Sequence, residues 1–252
     1  GRGNLNIMAT GINDYEEEHL RLRYSVHDAE SVTDAFGSTP GTLYRAVKTS
    51  ILTDRKVTKA NLEAEFDRLA KAVNPDDVFV LYLAGHGISD KDYYYIPSDF
   101  KGKSLSEAKT QGISRQFITE NMSKICAKKT LILLDTCQSG GFVKNQDRID
   151  DETAFNRLSH YTGQAIIAAA SDRQSAVEGY RNHGIFTYVI LEALSGKADF
   201  NKDGTIILSE LVVYLDNTLA ELTADEFGGH LQEPWYDLKG QKFPLLNCTA
   251  RK

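Results

Sequence analysis

The segment Val78-Phe79-Val80-Leu81-Tyr82-Leu83 constrains this chain more than any other. A strand with one wet face alternates apolar and polar residues. A run without that alternation has to be covered on both faces, as in a mainly parallel sheet held between two layers of helices. Leu131-Ile132-Leu133-Leu134 and Ala165-Ile166-Ile167-Ala168 show the same pattern. Leu5 to Ile12 and Thr42 to Leu52 add two strand candidates, and Phe243-Pro244-Leu245-Leu246 a short sixth. Helical spacing fills the intervals: His27 to Phe36, Thr58 to Ala72, Ser114 to Ile125, His183 to Leu194 and Leu208 to Leu222. In the second of these, Leu62, Phe66, Leu69 and Val73 fall on one stripe. Strands alternating with helices predict an α/β/α sandwich, with a mainly parallel sheet of about six strands in one domain over 1–252. The polar stretch from Phe142 to Tyr161 is expected to be a long exposed loop. It would divide a larger part, about 1–141, from a smaller one, about 162–252.

Two of the apolar strands end in glycine-rich turns that carry reactive side chains. One runs into Ala84-Gly85-His86-Gly87, the other into Asp135-Thr136-Cys137-Gln138-Ser139-Gly140-Gly141. In open parallel sheets, ligands bind outside the carboxyl ends of the strands. A thiol becomes a strong nucleophile only as the thiolate. A neighbouring imidazole can take its proton and later protonate the leaving amine. His86 and Cys137 are therefore the candidate base and nucleophile. The amides of Cys137 and Gly87 are candidate donors to a developing oxyanion.

Composition narrows the function classes. The net charge is −6, with 35 acidic against 29 basic residues, which argues against nucleic acid or an anionic membrane as partner. No apolar stretch approaches the roughly 20 residues needed to span a bilayer, and no secretory signal is visible. Three widely spaced cysteines, Cys126, Cys137 and Cys248, do not form a disulfide framework or a CxxC pair. Reduced thiols and a cytoplasmic setting are expected. The chain opens on Gly1-Arg2-Gly3-Asn4 rather than Met, so a domain cut from a longer protein, or a processed chain, is expected, with regulation carried by the missing domains.

Leu83-Ala84-Gly85-His86-Gly87 with Tyr93-Tyr94-Tyr95-Ile96-Pro97-Ser98-Asp99 resembles the histidine region of bacterial caspase-like cysteine peptidases. Asp135-Thr136-Cys137-Gln138-Ser139-Gly140 resembles their nucleophile motif, with Gln138 where many relatives have His. Ala9 to Tyr15, Leu22 to Ala29 and His183 to Tyr188 also resemble theirs, so the likeness spans nearly the whole chain. His86 and Cys137 lie 51 residues apart, near the roughly 50-residue spacing of caspases. The resemblance implies a caspase-like fold and a cysteine endopeptidase acting on proteins or peptides.

Eukaryotic caspases carry Gln two residues before the cysteine, where this chain has Asp135. A carboxylate there repels an acidic substrate side chain and attracts a basic one. In the metacaspases that the chain resembles, that Asp and one from the first helix form an acidic pocket for the residue preceding the cut (P1). The matching helix position is Asp28, and Ser171 and Asp172 are candidates for the rim. Cleavage after Arg, in preference to Lys, is the expectation.

Asp199 to Glu210 fits the twelve-residue EF-hand pattern. Asp199, Asn201 and Asp203 stand at positions 1, 3 and 5, Gly204 at 6, Thr205 at 7 and Glu210 at 12. Calcium is the metal such a loop would take, although Ile207 at position 9 offers no side-chain oxygen. No cofactor is required for the chemistry itself. The rival expectation is a catalytically dormant adaptor or a calcium-binding regulatory module on the same fold.

Overall fold

A computed structural model describes residues 2–38, 43–138, 142, 148–171, 178–227 and 232–248, with the side chains of 137, 138, 148, 171 and 178 outside that description. The first half runs β1 (Leu5–Gly11), α1 (Ser25–Gly37), β2 (Val47–Thr53), α2 (Lys59–Ala72), β3 (Val78–Asp90), β4 (Asp92–Tyr95), α3 (Leu105–Gln111), β5 (Ile113–Ser114) and α4 (Arg115–Met122). The second runs β6 (Lys129–Gln138), α5 (Arg148–Thr162), β7 (Ala165–Ser171), β8 (Glu178–Tyr180), β9 (His183–Gly184), α6 (Ile185–Glu192), β10 (Thr205–Ile207), α7 (Leu208–Glu226), β11 (Gln232–Asp237) and β12 (Pro244–Asn247).

The apolar runs are covered on both faces, as their composition requires. The central sheet has the order β11-β7-β6-β3-β1-β2, parallel except for β11, with β4 and β5 appended beside β3. Val78, Val80, Tyr82 and Ala84 of β3 join one core with Val32 of α1, Val189 of α6 and Leu215 of α7. Phe79, Leu81 and Leu83 join the other with Phe66 of α2, Ile118 of α4 and Phe155 of α5. This is the α/β/α sandwich that the sequence predicts.

The strand order also fixes where a crevice must lie. From β1 the chain crosses outward to β2, then returns to place β3 on the other side of β1. The helices leaving these strands, α1 and α2, consequently cover opposite faces. In sheets with such a reversal, ligand sites lie beyond the carboxyl ends of the strands.

Two expectations need correction. Phe243 to Leu246 supplies β12, but this strand pairs with β10 outside the main sheet. The sixth strand of the main ladder is β11, antiparallel to β7. Its sequence, Gln-Glu-Pro-Trp-Tyr-Asp, is polar and contains Pro234, a residue that an edge strand tolerates and a central one does not.

The expected exposed loop from 142 to 161 is instead largely helix. α5 spans Arg148–Thr162 and buries Ala154, Phe155 and Leu158 completely, with the Phe155 ring tilted against those of Tyr93 and Trp235. Three apolar residues at helical spacing suffice here. Burying a side chain of that size contributes roughly 1.5–3 kcal/mol, and two polar ties add to it. Arg157 Nε donates to Asp92 Oδ1 at 2.6 Å, and Ser159 Oγ to Asp237 Oδ2 at 2.8 Å. Residues 143–147 lie outside the described residues, so Lys144 does too.

Candidate active site and P1 pocket

The register of two parallel strands brings the candidate dyad together. β3 and β6 pair so that His86 stands opposite Cys137 and Gly87 opposite Gln138. Neighbouring strands lie about 4.8 Å apart, so two positions 51 residues apart in sequence become immediate neighbours at the carboxyl edge. The side chain of Cys137 is outside the described residues, and its position here is that of its backbone.

His86 is buried and held from several sides. Its Nε2–H donates to the carbonyl of Leu20 at 2.7 Å. That bond selects the tautomer and leaves the basic lone pair on Nδ1. The backbone N–H of His86 donates to the Tyr15 hydroxyl at 2.9 Å, and the Tyr15 ring packs on the imidazole with centroids 5.2 Å apart. Leu20 closes a single turn of 3₁₀-helix, Glu18–Leu20, on the segment that follows β1. This segment is pinned because the amides of Asn13 and Asp14 both donate to Asp54 Oδ1 at 2.9 Å. The loop after β1 thus orients the imidazole borne by β3.

The glycines on either side of His86 are sterically required. A β-carbon on Gly85, whose φ is +143°, would stand 2.6 Å from the Tyr15 hydroxyl. One on Gly87 would stand 2.7 Å from Thr136 Oγ1, on the residue before the candidate nucleophile. The β3–β4 hairpin buttresses both turns. Tyr95 donates to the Ala84 carbonyl at 2.7 Å and Tyr93 to Thr136 Oγ1 at 3.0 Å. Burial pushes both phenols well above their ordinary range.

Asp28 and Asp135, 107 positions apart in the chain, are brought to the two sides of one glycine. A β-carbon on Gly184 would lie 3.0 Å from Asp28 Oδ2 and 3.2 Å from Asp135 Oδ2. Asp28 is 2 % exposed; it accepts the Gly184 amide at 2.9 Å and Nδ1–H of His183 at 2.7 Å. Burial raises its carboxyl above the usual range, opposed by the bonds from His183 and Gly184. Asp135 is half-buried and accepts a short bond from Thr187, which is itself bonded to Tyr82 at 2.6 Å. Ser171 ends β7, next to β6, with its side chain outside the described residues; Asp172 lies outside them altogether.

Sequence reasoning missed Leu20, Tyr15, Thr187 and His183. Leu20 acts through a backbone carbonyl, which no side-chain signature reveals. His183 and Thr187 sit in the family-like segment His183 to Tyr188, and that segment was the only available signal for them.

The loop from Asp199 to Glu210 lies away from this edge, joining the helical turn after α6 to α7. Its donors stand in EF-hand order, and β10 occupies the short strand at positions 7 to 9. In this conformation the oxygens serve the loop's own amides. Asp199 accepts from the N–H groups of Asp203 and Gly204, Asn201 from Asp203, Asp203 from Thr205, and Glu210 from Ile207. Among the described residues, no three His, Cys, Asp or Glu side chains gather closely enough to hold a metal. No helix among them is long and apolar enough to cross a membrane.

No curated protein sequence matches this chain. Protein GSU0716 from Geobacter sulfurreducens, known from its crystal structure, is similar with a TM-score of 0.58, covering 93% of this chain and 92% of that one. At 14% identity the likeness is one of fold. The family model described as caspase domain matches residues 8–245. With that match spanning His86, Cys137, Asp28 and Asp135, the chain belongs to the caspase domain family of cysteine peptidases.

Proposed function

We propose that this domain is a cysteine endopeptidase that cuts proteins after Arg or Lys, with Cys137 as nucleophile and His86 as base. The observation that carries the proposal is the pairing of His86 with Cys137 at the carboxyl edge, combined with the Nε2–H···O bond to Leu20. In this arrangement Nδ1 takes the thiol proton, and the thiolate attacks the scissile carbonyl. The amides of Cys137 and Gly87 receive the oxyanion. The imidazolium then protonates the departing amine, and water releases the acyl group from Cys137. Stabilised by the Leu20 carbonyl on its far side, the imidazolium costs less to form in a buried position.

Basic specificity rests on Asp28 and Asp135 flanking Gly184. A guanidinium offers a planar fork to two carboxylates, whereas an ammonium offers a point charge, which favours Arg over Lys. An acidic side chain would meet two like charges. Ser171 and Asp172 complete the rim in this proposal. A cytoplasmic setting and sensor or regulatory partners in a longer protein accompany it. The test is turnover of peptides ending in Arg, Lys or Asp before the reporter group, by wild type and Cys137→Ala. Cleavage after Asp in preference to Arg would overturn the pocket assignment.

A second proposal attaches to the Asp199 to Glu210 loop, favoured by the helix–loop–helix frame around β10. Asp199, Asn201, Asp203, the Thr205 carbonyl and Glu210 would hold Ca²⁺ once their oxygens turn from the loop amides that they accept in this conformation, and the ion would brace the start of α7. Calorimetric titration tests this directly: wild type takes up calcium and Glu210→Gln does so more weakly. No uptake by wild type at millimolar calcium contradicts it.

A further inference from the structure

The pocket carboxylate Asp28 is tied to an imidazole, and nothing in the chemistry of peptide cleavage calls for one there. His183 donates Nδ1–H to Asp28 Oδ1 at 2.7 Å, joining β9 to α1 across 155 positions of sequence. Its ring is stacked on His27, with centroids 4.7 Å apart and planes 22° from parallel. The next residue, Gly184, donates its amide to the other oxygen of Asp28 and separates that carboxylate from Asp135. His183-Gly184 therefore builds the inner wall of the pocket: one residue fixes Asp28 and the other keeps the space between the two acids open.

We infer that His183 is a specificity-determining positioning residue that makes recognition of a basic P1 side chain depend on its own protonation. This rests on the proposed basic specificity. As neutral imidazole, His183 orients Asp28 and leaves the pocket with two negative charges. As imidazolium it still donates to Asp28 but cancels one of those charges beside the bound cation. The groups facing it are Asp28 and His27 from α1, Asp135 from β6 across Gly184, Tyr180 from β8, which pairs with it in the β8–β9 ladder, and Tyr188 from α6, whose ring centroid is 6.4 Å away and whose hydroxyl accepts from Arg181. Imidazoles in general titrate between pH 5 and 8. A unit charge at this range in a partly buried site changes cation affinity by about tenfold.

The test is steady-state cleavage of a P1-Arg peptide between pH 8 and 5.5, with inhibition by benzamidine measured in parallel. Benzamidine mimics the arginine head group and takes no part in the covalent chemistry. In wild type, KM and the benzamidine inhibition constant should both rise about tenfold as pH falls. The fall in kcat from protonation of His86 is read separately. In His183→Gln, whose amide can still donate to Asp28 but cannot titrate, both rises should shrink to about twofold, while the acid limb of kcat persists. An undiminished rise in His183→Gln would assign the effect to Asp28 itself and overturn the inference. A flat benzamidine constant in wild type that still cleaves after Arg would overturn it without any variant. Wild type that cleaves peptides but neither binds benzamidine nor prefers Arg would remove the basic-specific pocket, and this inference with it.

Discussion

The two halves of the proposed site are assembled by different means. The dyad positions are set by backbone register: β3 and β6 are buried central strands, and their pairing alone makes His86 and Cys137 neighbours. The P1 pocket is set by side chains. Asp135 shares the β3–β6 ladder, but Asp28 comes from α1 and His183-Gly184 from β9, and these are joined by single hydrogen bonds, as is Asp135 to Thr187 of α6. A ladder shared with the core cannot shift without unfolding the sheet. A pocket joined by single bonds between elements can be retuned one residue at a time. Chemistry should therefore respond to substitution in an all-or-none way, and specificity by degrees.

The largest effect tests the all-or-none side. Cys137→Ala and His86→Ala should each reduce cleavage by at least about a thousandfold, and the double variant should be no worse than either, because the pair acts as a unit. Additive losses would show that the two residues do not act together.

Next come the pocket acids. Asp28→Asn and Asp135→Asn should each lower kcat/KM for P1-Arg by roughly one to two decades, the loss of a charged contact in a partly buried site. Asp28→Asn carries a second signature. The carboxyl of Asp28 is raised mainly by burial, so its ionised form opposes folding as pH rises through the folded pKa. The asparagine variant should then equal or exceed wild type in melting temperature at pH 8, with the advantage shrinking as the medium is acidified. Thermal melts at pH 8 and pH 5 check this; an advantage growing towards acid would reverse the sign of the argument.

A smaller effect is expected at the buttress. Tyr15→Phe removes the acceptor of the His86 amide. It should cost about 1–3 kcal/mol of stability, because a buried donor loses its partner, and should lower kcat more than it raises KM. A pure KM effect in steady-state kinetics would place Tyr15 in binding instead.

The smallest expected effect concerns self-cutting between the two parts of the domain. Arg157 has a side chain acceptable to a basic pocket, yet it lies within α5 and is paired with Asp92. Arg157→Gln should leave the fragment pattern of incubated enzyme unchanged by mass spectrometry. A wild-type fragment ending at Arg157 would show that α5 unwinds in solution.

Legibility in the sequence followed the same division. Whatever depends on the covering of strands could be read directly: Val78 to Leu83 requires two apolar layers. The glycines around His86 mark the end of the parallel ladder rather than of the strand, since β3 runs on to Asp90 to pair with β4. β11 could not be read, because an edge strand with Pro234 and one wet side has none of the composition of its neighbours. α5 was hidden for a related reason. Its buried stripe of Ala154, Phe155 and Leu158 is short, and Arg157 and Ser159, polar in sequence, are tied to other elements. In the pocket, Asp28 and Asp135 were accessible through family likeness, but their junction at Gly184 was not. No periodicity links residues 28, 135 and 184; only the folded chain does.

The most direct test of the central claim is the kcat/KM of one peptide series differing only at P1, with Arg, Lys, Gln and Asp, measured on wild type and on Cys137→Ala. The account predicts Arg above Lys, both far above Gln, no measurable cleavage after Asp, and no turnover in the variant. Turnover retained by purified Cys137→Ala, or preference for Asp in wild type, would contradict it.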